Sequence, residues 1–359
     1  MTSLLYSDVE DELRAAVRKV LADRSPWQAV LARVEGAEPY DDTGLWRTLA
    51  AEVGCAGLPV PQERGGAGAG WREAAVVAEE FGRAVAPVPW LGCAQVTAAL
   101  LACEDTALLG QVCAGELVAA FAVPLSTPLG APPPAGVRAD GDTITGTVTS
   151  VADALSADVL LVPTPDGLWQ VSAADARLAA VTSLDLTRPL ADISFDSAPA
   201  TRLAGVERAW TASLTAGAVL LAAEQLGLAE WCLETTVAYV KQRHQFGRAI
   251  GSFQAVKHRL AQLWVEVTQA RAVARYAATC LTTDDPDTTV AAHLAQAHCG
   301  QVAVRAAEEC VQLHGGIGFT WEHPAHLYLK RAKSDAIAFG TAAWHRAELG
   351  DILDLPAPD

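Results

Sequence analysis

Little in this chain points toward nucleic acid, metal or membrane. Its 26 lysines and arginines are outnumbered by 42 aspartates and glutamates, for a formal net charge of −16 over 359 residues. Binding along a phosphate backbone needs a concentrated basic face, which this balance does not supply. Metal-ligand patterns are lacking too. The eight cysteines (Cys55, Cys93, Cys103, Cys113, Cys232, Cys280, Cys299 and Cys310) stand among alanine and leucine, with no CxxC pair and no histidine at ligand spacing. That pattern reads as reduced thiols in a core, not as a zinc site or a disulfide framework. No charged leader precedes an apolar stretch, and no uninterrupted apolar run reaches the roughly 18 residues of a membrane span. Cytoplasmic residence is the expectation. There is no internal repeat, and the one low-complexity patch is Pro132 to Pro134.

Apolar residues are plentiful, at 51% of the chain, enough for a large core divided among two or three units. Helical spacing sets Leu13, Val17, Val20 and Leu21 on one face of Asp11 to Leu21, repeats over Leu45 to Val53, and returns over Trp71 to Val85 with the acidic residues opposite Val76, Val77 and Phe81. GLPVPQERGGAGAG interrupts these as a loop. From about Leu117 the pattern becomes short strand-like runs: VAAFAV, ITGTVTSV, DVLLVP, LWQVS and ADISFD, separated by turn residues, which predict a small antiparallel sheet or barrel. Beyond Trp210 long helical seams return: Leu214, Ala218, Leu221, Leu228 and Cys232; then Phe253, Val256, Leu260, Leu263, Val267 and Ala270; then Val290, Leu294, Ala297, Val304 and Val311. The expected order is a helical unit over 1–115, a β unit over 116–205, and a helical bundle over 206–359, an α+β fold that is mostly α.

Two stretches carry recognisable chemistry. YVKQRHQFGRAIGSFQ, Tyr239 to Gln254, breaks two helices with a charged turn. QLHGGIGF, Gln312 to Phe319, ends a third with a double glycine. Arg243 offers a planar fork of donors for a phosphate, Phe246 an aromatic face, and Gln254 an amide for a base or ribose edge. Gly315 and Gly316 let a backbone approach a ligand closely. These residues fit half of a site for an anionic nucleotide cofactor. The alternative is an ordinary ion pair for Arg243, core packing for Phe246, and a helix stop for the glycines. Glu224, Glu234 and Glu266 fall inside helices, where exposed or capping roles are the default. The run Lys330, Arg331 and Lys333 suits cofactor phosphate, an acidic partner or a solvated face. His314, His323 and His326 lack the i, i+4 geometry of a zinc site and are expected to pack beside the cofactor or a subunit contact.

Four phrases, in order and across most of the chain, resemble the acyl-CoA dehydrogenase family: GLPVPQERGGAG, DLTRPLADISFD, RHQFGRAIGSFQAVKHRLA and CVQLHGGIGFTWEHPAHLYLKRAK. The resemblance implies an N-terminal helical domain, a small middle β-domain and a C-terminal four-helix bundle. It also implies a flavoprotein that removes hydrogens from the α and β carbons of an acyl-CoA thioester. In that family a glutamate takes the α proton while hydride leaves to FAD. FAD lies at a subunit interface, and the neighbouring subunit supplies the adenine and pyrophosphate side. That second set is intact here as Arg243, Phe246, Gln254, Gln312, Gly315 and Gly316.

The first set is not. Where the resemblance places the catalytic glutamate this chain has Phe339, and the alternative base position on the first bundle helix falls at Gly217, followed by Ala218 in place of an arginine. The usual TEPxxGSD phrase is replaced by VPLSTPLGAPPPAG, leaving Ser126, Thr127 and Thr149 as common hydroxyls near the flavin ring. The pattern resembles the noncatalytic subunit of actinobacterial heterotetrameric (α2β2) acyl-CoA dehydrogenases, in which a homologous partner carries the glutamate, binds most of the acyl-CoA substrate, and passes electrons to a transfer acceptor. Steroid side chains are one substrate class of such pairs. Two other readings stay open: a self-sufficient homo-oligomer using a displaced glutamate such as Glu207, which stands ten residues before Gly217, and a flavin-free scaffold of the same fold.

Overall fold

The computed structural model describes residues 4–36, 42–103 and 107–355. Six helices come first: α1 (Asp8–Arg24), α2 (Trp27–Val34), α3 (Thr43–Ala51), α4 (Trp71–Ala84), α5 (Trp90–Cys103) and α6 (Ala107–Cys113). A capping box starts α1: Ser7 Oγ accepts from the Glu10 amide, and the Glu10 carboxylate accepts from the Ser7 amide. The same carboxylate pairs with Arg72 at 2.8 Å, which ties α1 to α4. α5 is apolar on nearly every side and almost wholly buried, so no amphipathic stripe announces it.

Seven strands follow: β1 (Ala119–Phe121), β2 (Val137–Asp140), β3 (Thr143–Ala152), β4 (Val159–Thr164), β5 (Gly167–Ser172), β6 (Arg177–Val181) and β7 (Leu190–Ala204). Their order is β1-β4-β5-β7-β3-β2, with β6 also on β7. β7 is the spine. Residues 190–199 pair with β3, with Val148 opposite Ile193, residues 190–194 also pair with β6, and the end pairs with β5, with Val171 opposite Ala200. The expected antiparallel sheet needs one amendment, because β1 runs parallel to β4. The inner face packs Ile144, Val148, Leu160, Trp169, Ile193 and Phe195 into a core of its own.

The remaining chain is helical apart from a two-residue hairpin, β8 (His244–Gln245) with β9 (Arg248–Ala249). Its helices are α7 (Val206–Gln242), α8 (Gln254–Thr283), α9 (Thr288–His314), α10 (Ala325–Asp335) and α11 (Ala342–Ile352). α7 is the axis of the molecule and packs against α4, α5, α8 and α9. By length and composition alone α7 could cross a membrane, which the sequence reading did not anticipate, yet 94% of its most apolar window is buried inside the fold. Where α4 crosses α7 the two backbones touch. A Cβ on Gly82 would strike the Glu224 carbonyl, and one on Gly227 would strike the Glu79 carbonyl.

Three acidic side chains expected on solvated faces lie instead in the interior. Glu79 and Glu80 are 2% exposed and meet Arg14, Arg18 and Arg275. Glu224 is fully buried between Arg188, at 2.6 Å, and Arg331. Arg331 also holds Asp185 and donates to the Thr187 carbonyl at 2.9 Å, while Arg188 reaches Asp335 at 2.6 Å. Buried charges persist only when paired, and these pairs tie the 185–188 turn of the β unit to α7 and α10. Arg331 is thus no part of a solvated or phosphate-facing basic run; Lys333 pairs with Glu308 at 2.6 Å, and Lys330 lies 4.7 Å over the Trp321 ring.

Candidate cofactor half-site and filled centre

Three chain reversals converge at one end of the bundle. α7 stops when Arg243 turns extended, and the hairpin that follows reverses through Phe246 and Gly247, both left-handed at φ +53° and +74°. Two left-handed residues in a two-residue loop match the twist of a hairpin, at a cost for phenylalanine that glycine does not share. α9 stops at Gly315, φ +64°, and a Cβ on Gly315 or Gly316 would meet nothing within 4 Å. Between them opens a groove of about 600 Å³ that contains Arg243, Gln312, Gly315 and Gly316.

The structure therefore brings four of the six expected cofactor residues into one groove. The other two, Phe246 and Gln254, stand outside its lining. The Phe246 ring is 90% exposed and meets Phe253 edge-on at 6.3 Å, while Gln254 is exposed at the first position of α8. The Arg248 guanidinium lies 3.9 Å over the Phe253 ring.

The groove is also lined by His314, which the sequence singled out, and by Tyr239, Gln245, Ile250, Leu313 and Ile317, to which it assigned no role. Tyr239 stacks on His314, with ring centroids 4.4 Å apart, and His314 donates through Nδ1 to the Cys310 carbonyl at 2.7 Å. The Cys310 thiol is pulled down by a hydrogen bond from Cys232 and, against its burial, by His314. His323 packs 4.2 Å from His314 and is pushed down to about 4 by burial and by the neighbouring histidines. His314 is thus a buried lining residue of the groove, with His323 packed against it. A double glycine at a helix end and an aromatic one turn earlier on the facing helix were the available signals.

The groove suits an anion. The Arg243 side chain is exposed and, among the described residues, makes no ion pair, so its fork is free for a ligand. The bare backbone at Gly315 and Gly316 allows close approach. The C-terminal ends of α7 and α9 both point here and would disfavour a phosphate, so the cation is needed to reverse the local field. A phosphate-bearing group of a cofactor fits these residues.

The centre of the molecule is built the opposite way. Phe339 and Gly217, the two positions where the resemblance looks for a base, touch each other. A Cβ on Gly217 would lie 2.5 Å from Phe339 Cζ and 3.2 Å from Gln95 Cγ, so the phenyl ring occupies the space above the glycine. Phe339 is 2% exposed and left-handed at φ +54°. Its amide donates to the Leu125 carbonyl and its carbonyl accepts from the Leu129 amide, both at 2.9 Å.

The loop that makes these bonds is the one that replaces TEPxxGSD. It is also held by the indole of Trp210, donating to the Ala131 carbonyl at 2.7 Å, and by that of Trp344, donating to the Leu129 carbonyl at 3.1 Å. Ser126 and Thr149 are exposed beside it. The atoms nearest a Cβ on Gly217 belong to Phe339 and Gln95, neither of them a carboxylate. Asp335, pushed up to about 8 by burial against the pull of Arg188, is bound into the arginine network, and Glu207 is exposed in a separate cleft between the end of α5 and the start of α7.

Comparison with known proteins places this geometry. The chain belongs to the acyl-CoA dehydrogenase family of FAD-dependent oxidoreductases: residues 7–104 match the acyl-CoA dehydrogenase N-terminal domain and residues 204–353 the C-terminal domain. It is 38% identical over 327 residues to acyl-CoA dehydrogenase IpdE2 of Mycobacterium tuberculosis, covering 90% of this chain and 91% of that one. Among solved structures it is similar to the ChsE4-ChsE5 complex from Mycobacterium tuberculosis, with TM-score 0.87 at 25% identity over 99% of this chain and 100% of that one. It is likewise similar to the Tcur3481-Tcur3483 steroid ACAD, with TM-score 0.84 at 30% identity over 97% and 98%.

Proposed function

We propose that this chain is the noncatalytic subunit of a heteromeric acyl-CoA dehydrogenase. The observation that carries this reading is the mutual filling of Phe339 and Gly217 at the centre of a chain that keeps an open Arg243 groove at its tip. A phenyl ring accepts no proton, and Phe339 and Gln95 are what stand nearest Gly217, so α-proton abstraction belongs to a glutamate on a homologous partner. FAD, when bound, supplies the hydride acceptor. Arg243, Gln312 and the bare 315–316 backbone would hold its pyrophosphate and adenine side, and Phe246 and Gln254, exposed on the hairpin and at the α8 start, would add an aromatic face and an amide. The acyl-CoA substrate sits mainly in the partner. An α2β2 assembly with one FAD per heterodimer follows.

Two similar structures support both parts of the reading. One is named as the ChsE4-ChsE5 complex, and the other as a steroid ACAD with a two-part name. The proposed substrate is accordingly a steroid side chain carried as its CoA thioester.

The test is expression alone and with the partner. The chain alone is expected to be flavin-poor and inactive, and the pair to hold FAD and dehydrogenate acyl-CoA. Full FAD occupancy and turnover by the purified chain alone would establish the homo-oligomeric reading. A complex whose FAD content is indifferent to Arg243→Ala would favour the flavin-free scaffold.

A further inference from the structure

The two faces of α5 look into different places. Gln95 meets Gly217 at the filled centre, and the Gly92 amide donates to Asp153 at 2.7 Å. Trp90, Cys93, Ala94 and Thr97, spaced as neighbours on the opposite face, line a separate pocket of about 30 Å³ between α3, α4 and α5. Trp46 of α3, Val77 and Phe81 of α4, and Leu220 of α7 complete its walls. Cys55, Pro59, Trp71, Ala74 and Ala94 also line it and are only half-buried, so its mouth lies beside them.

Three polar atoms on residues of this wall have no partner among the described residues: Nε1 of Trp46, Nε1 of Trp90 and Oγ1 of Thr97. The three residues are 2%, 4% and 1% exposed, so bulk solvent does not satisfy them. Both indoles flank Phe81, with ring centroids 6.4 and 5.7 Å from its own, which sets the two donors around one small space. Folded interiors leave few such groups unpaired, and three on one pocket call for an acceptor inside it.

The walls also say what kind of acceptor fits. No charged side chain lines the pocket, the Cys93 thiol is taken up by the Ala119 carbonyl at 3.4 Å, and burial pushes the Cys55 thiol up to about 12. The occupant is therefore neutral. A water would accept from both indoles but keep two hydrogens, for which this wall offers the Thr97 oxygen alone. A carbonyl oxygen accepts two bonds and has nothing left to donate.

We propose that this pocket binds a small neutral molecule, a ketone, ester or amide, through its carbonyl oxygen. The oxygen accepts from the indoles of Trp46 and Trp90, with the Thr97 hydroxyl as a further donor, and the apolar body lies against Val77, Phe81 and Leu220 and toward the mouth. The site is distinct from the Arg243 groove and from the Phe339 centre, and it does not depend on the heteromeric reading.

The experiment titrates the full chain, labelled with nitrogen-15, with butanone and with 2-methylbut-1-ene, which puts a methylene where the ketone has oxygen. The indole N–H resonances report binding, and Trp46→Phe and Trp90→Phe assign the two that matter. Both are expected to shift together and saturably with butanone, while the exposed indoles of Trp264 and Trp321 stay still. The hydrocarbon should bind at least about tenfold more weakly, and Thr97→Val should weaken butanone about threefold to tenfold. FAD content of the complex should be the same with Thr97→Val as with wild type. A ketone that moves neither resonance, a hydrocarbon that binds as tightly as the ketone, or a long-lived water on both indoles that butanone does not displace would overturn the proposal. Each of those results leaves the flavin stoichiometry of the complex, and so the heteromeric reading, untouched.

Discussion

Two regions of this molecule were built from similar materials to opposite ends. At the tip, Arg243, Phe246 and the Gly315–Gly316 turn are exposed around a groove of about 600 Å³. At the centre, Phe339 fills the space over Gly217 and three loop carbonyls are fastened to Phe339 and two tryptophans. Both places hold a left-handed phenylalanine, Phe246 at φ +53° and Phe339 at φ +54°, one almost fully exposed and the other almost fully buried. The contrast teaches that the same local strain can present a ring to something outside the chain or close a cavity within it. Its surroundings decide which.

Breaking the comparison at the centre should cost the most. Arg331→Met strands Asp185 and Glu224 without their shared cation, and removing one partner of a buried ion pair costs about 3–5 kcal/mol. Urea unfolding should show that loss. Phe339→Ala comes next. The cavity left under the 125–129 loop should lower stability by about 3 kcal/mol, since alanine does not escape the left-handed backbone, while FAD content in the complex stays unchanged.

A pH effect of similar sign belongs to the same region. His345, buried with its Nδ1 2.9 Å from that of His293 and packed against the turn at Gly340, is pushed down to about 4 by burial and by His293. Its folded value lies below the ordinary value near 6.5, so the unfolded chain takes the proton first. The contribution is present above about pH 6.5 and is lost as pH falls toward 4, about 3 kcal/mol in all. Denaturation midpoints at pH 7 and pH 5 measure it, and His345→Gln should flatten the difference.

The tip should respond in function and barely in stability. Arg243→Ala removes an exposed side chain with no ion pair among the described residues, so the melting temperature should hold, with any change within about 0.5 kcal/mol. FAD affinity in the complex should drop by about 1.5–3 kcal/mol, the worth of hydrogen bonds to a charged group. Equilibrium flavin titration reads the loss directly.

How much of this could be read beforehand depended on reach along the chain. The seam of α7 was legible, and Leu214, Ala218, Leu221, Leu228 and Cys232 are all buried, because helical spacing of apolar residues is a local signal. The half-site was legible because turn chemistry is local: a charged hairpin and a double glycine carry their meaning within a few residues. The seam of α8 was only partly so. Leu263, Val267 and Ala270 are buried, but Phe253, Val256 and Leu260 stay partly open at the tip, where the periodicity belongs to a surface this chain does not bury alone.

What lay out of reach was set by distant partners. Glu224 reads as an ordinary helix glutamate until Arg188 and Arg331 close on it from two other elements. β2 and β6 were not separated as strands, since β6 is alanine-rich, mostly exposed and held only along β7. The meeting of Phe339 with Gly217 joins α7 to the α10–α11 turn, and no local pattern encodes it.

The central claim is that one cofactor is shared between an open half on this chain and a catalytic half on another. Flavin stoichiometry of the purified complex, from the absorbance of released FAD against quantified amounts of each chain, tests it most directly. One FAD per pair of unlike chains is the predicted result. One FAD per copy of this chain, with dehydrogenation by this chain in the partner's absence, would contradict it.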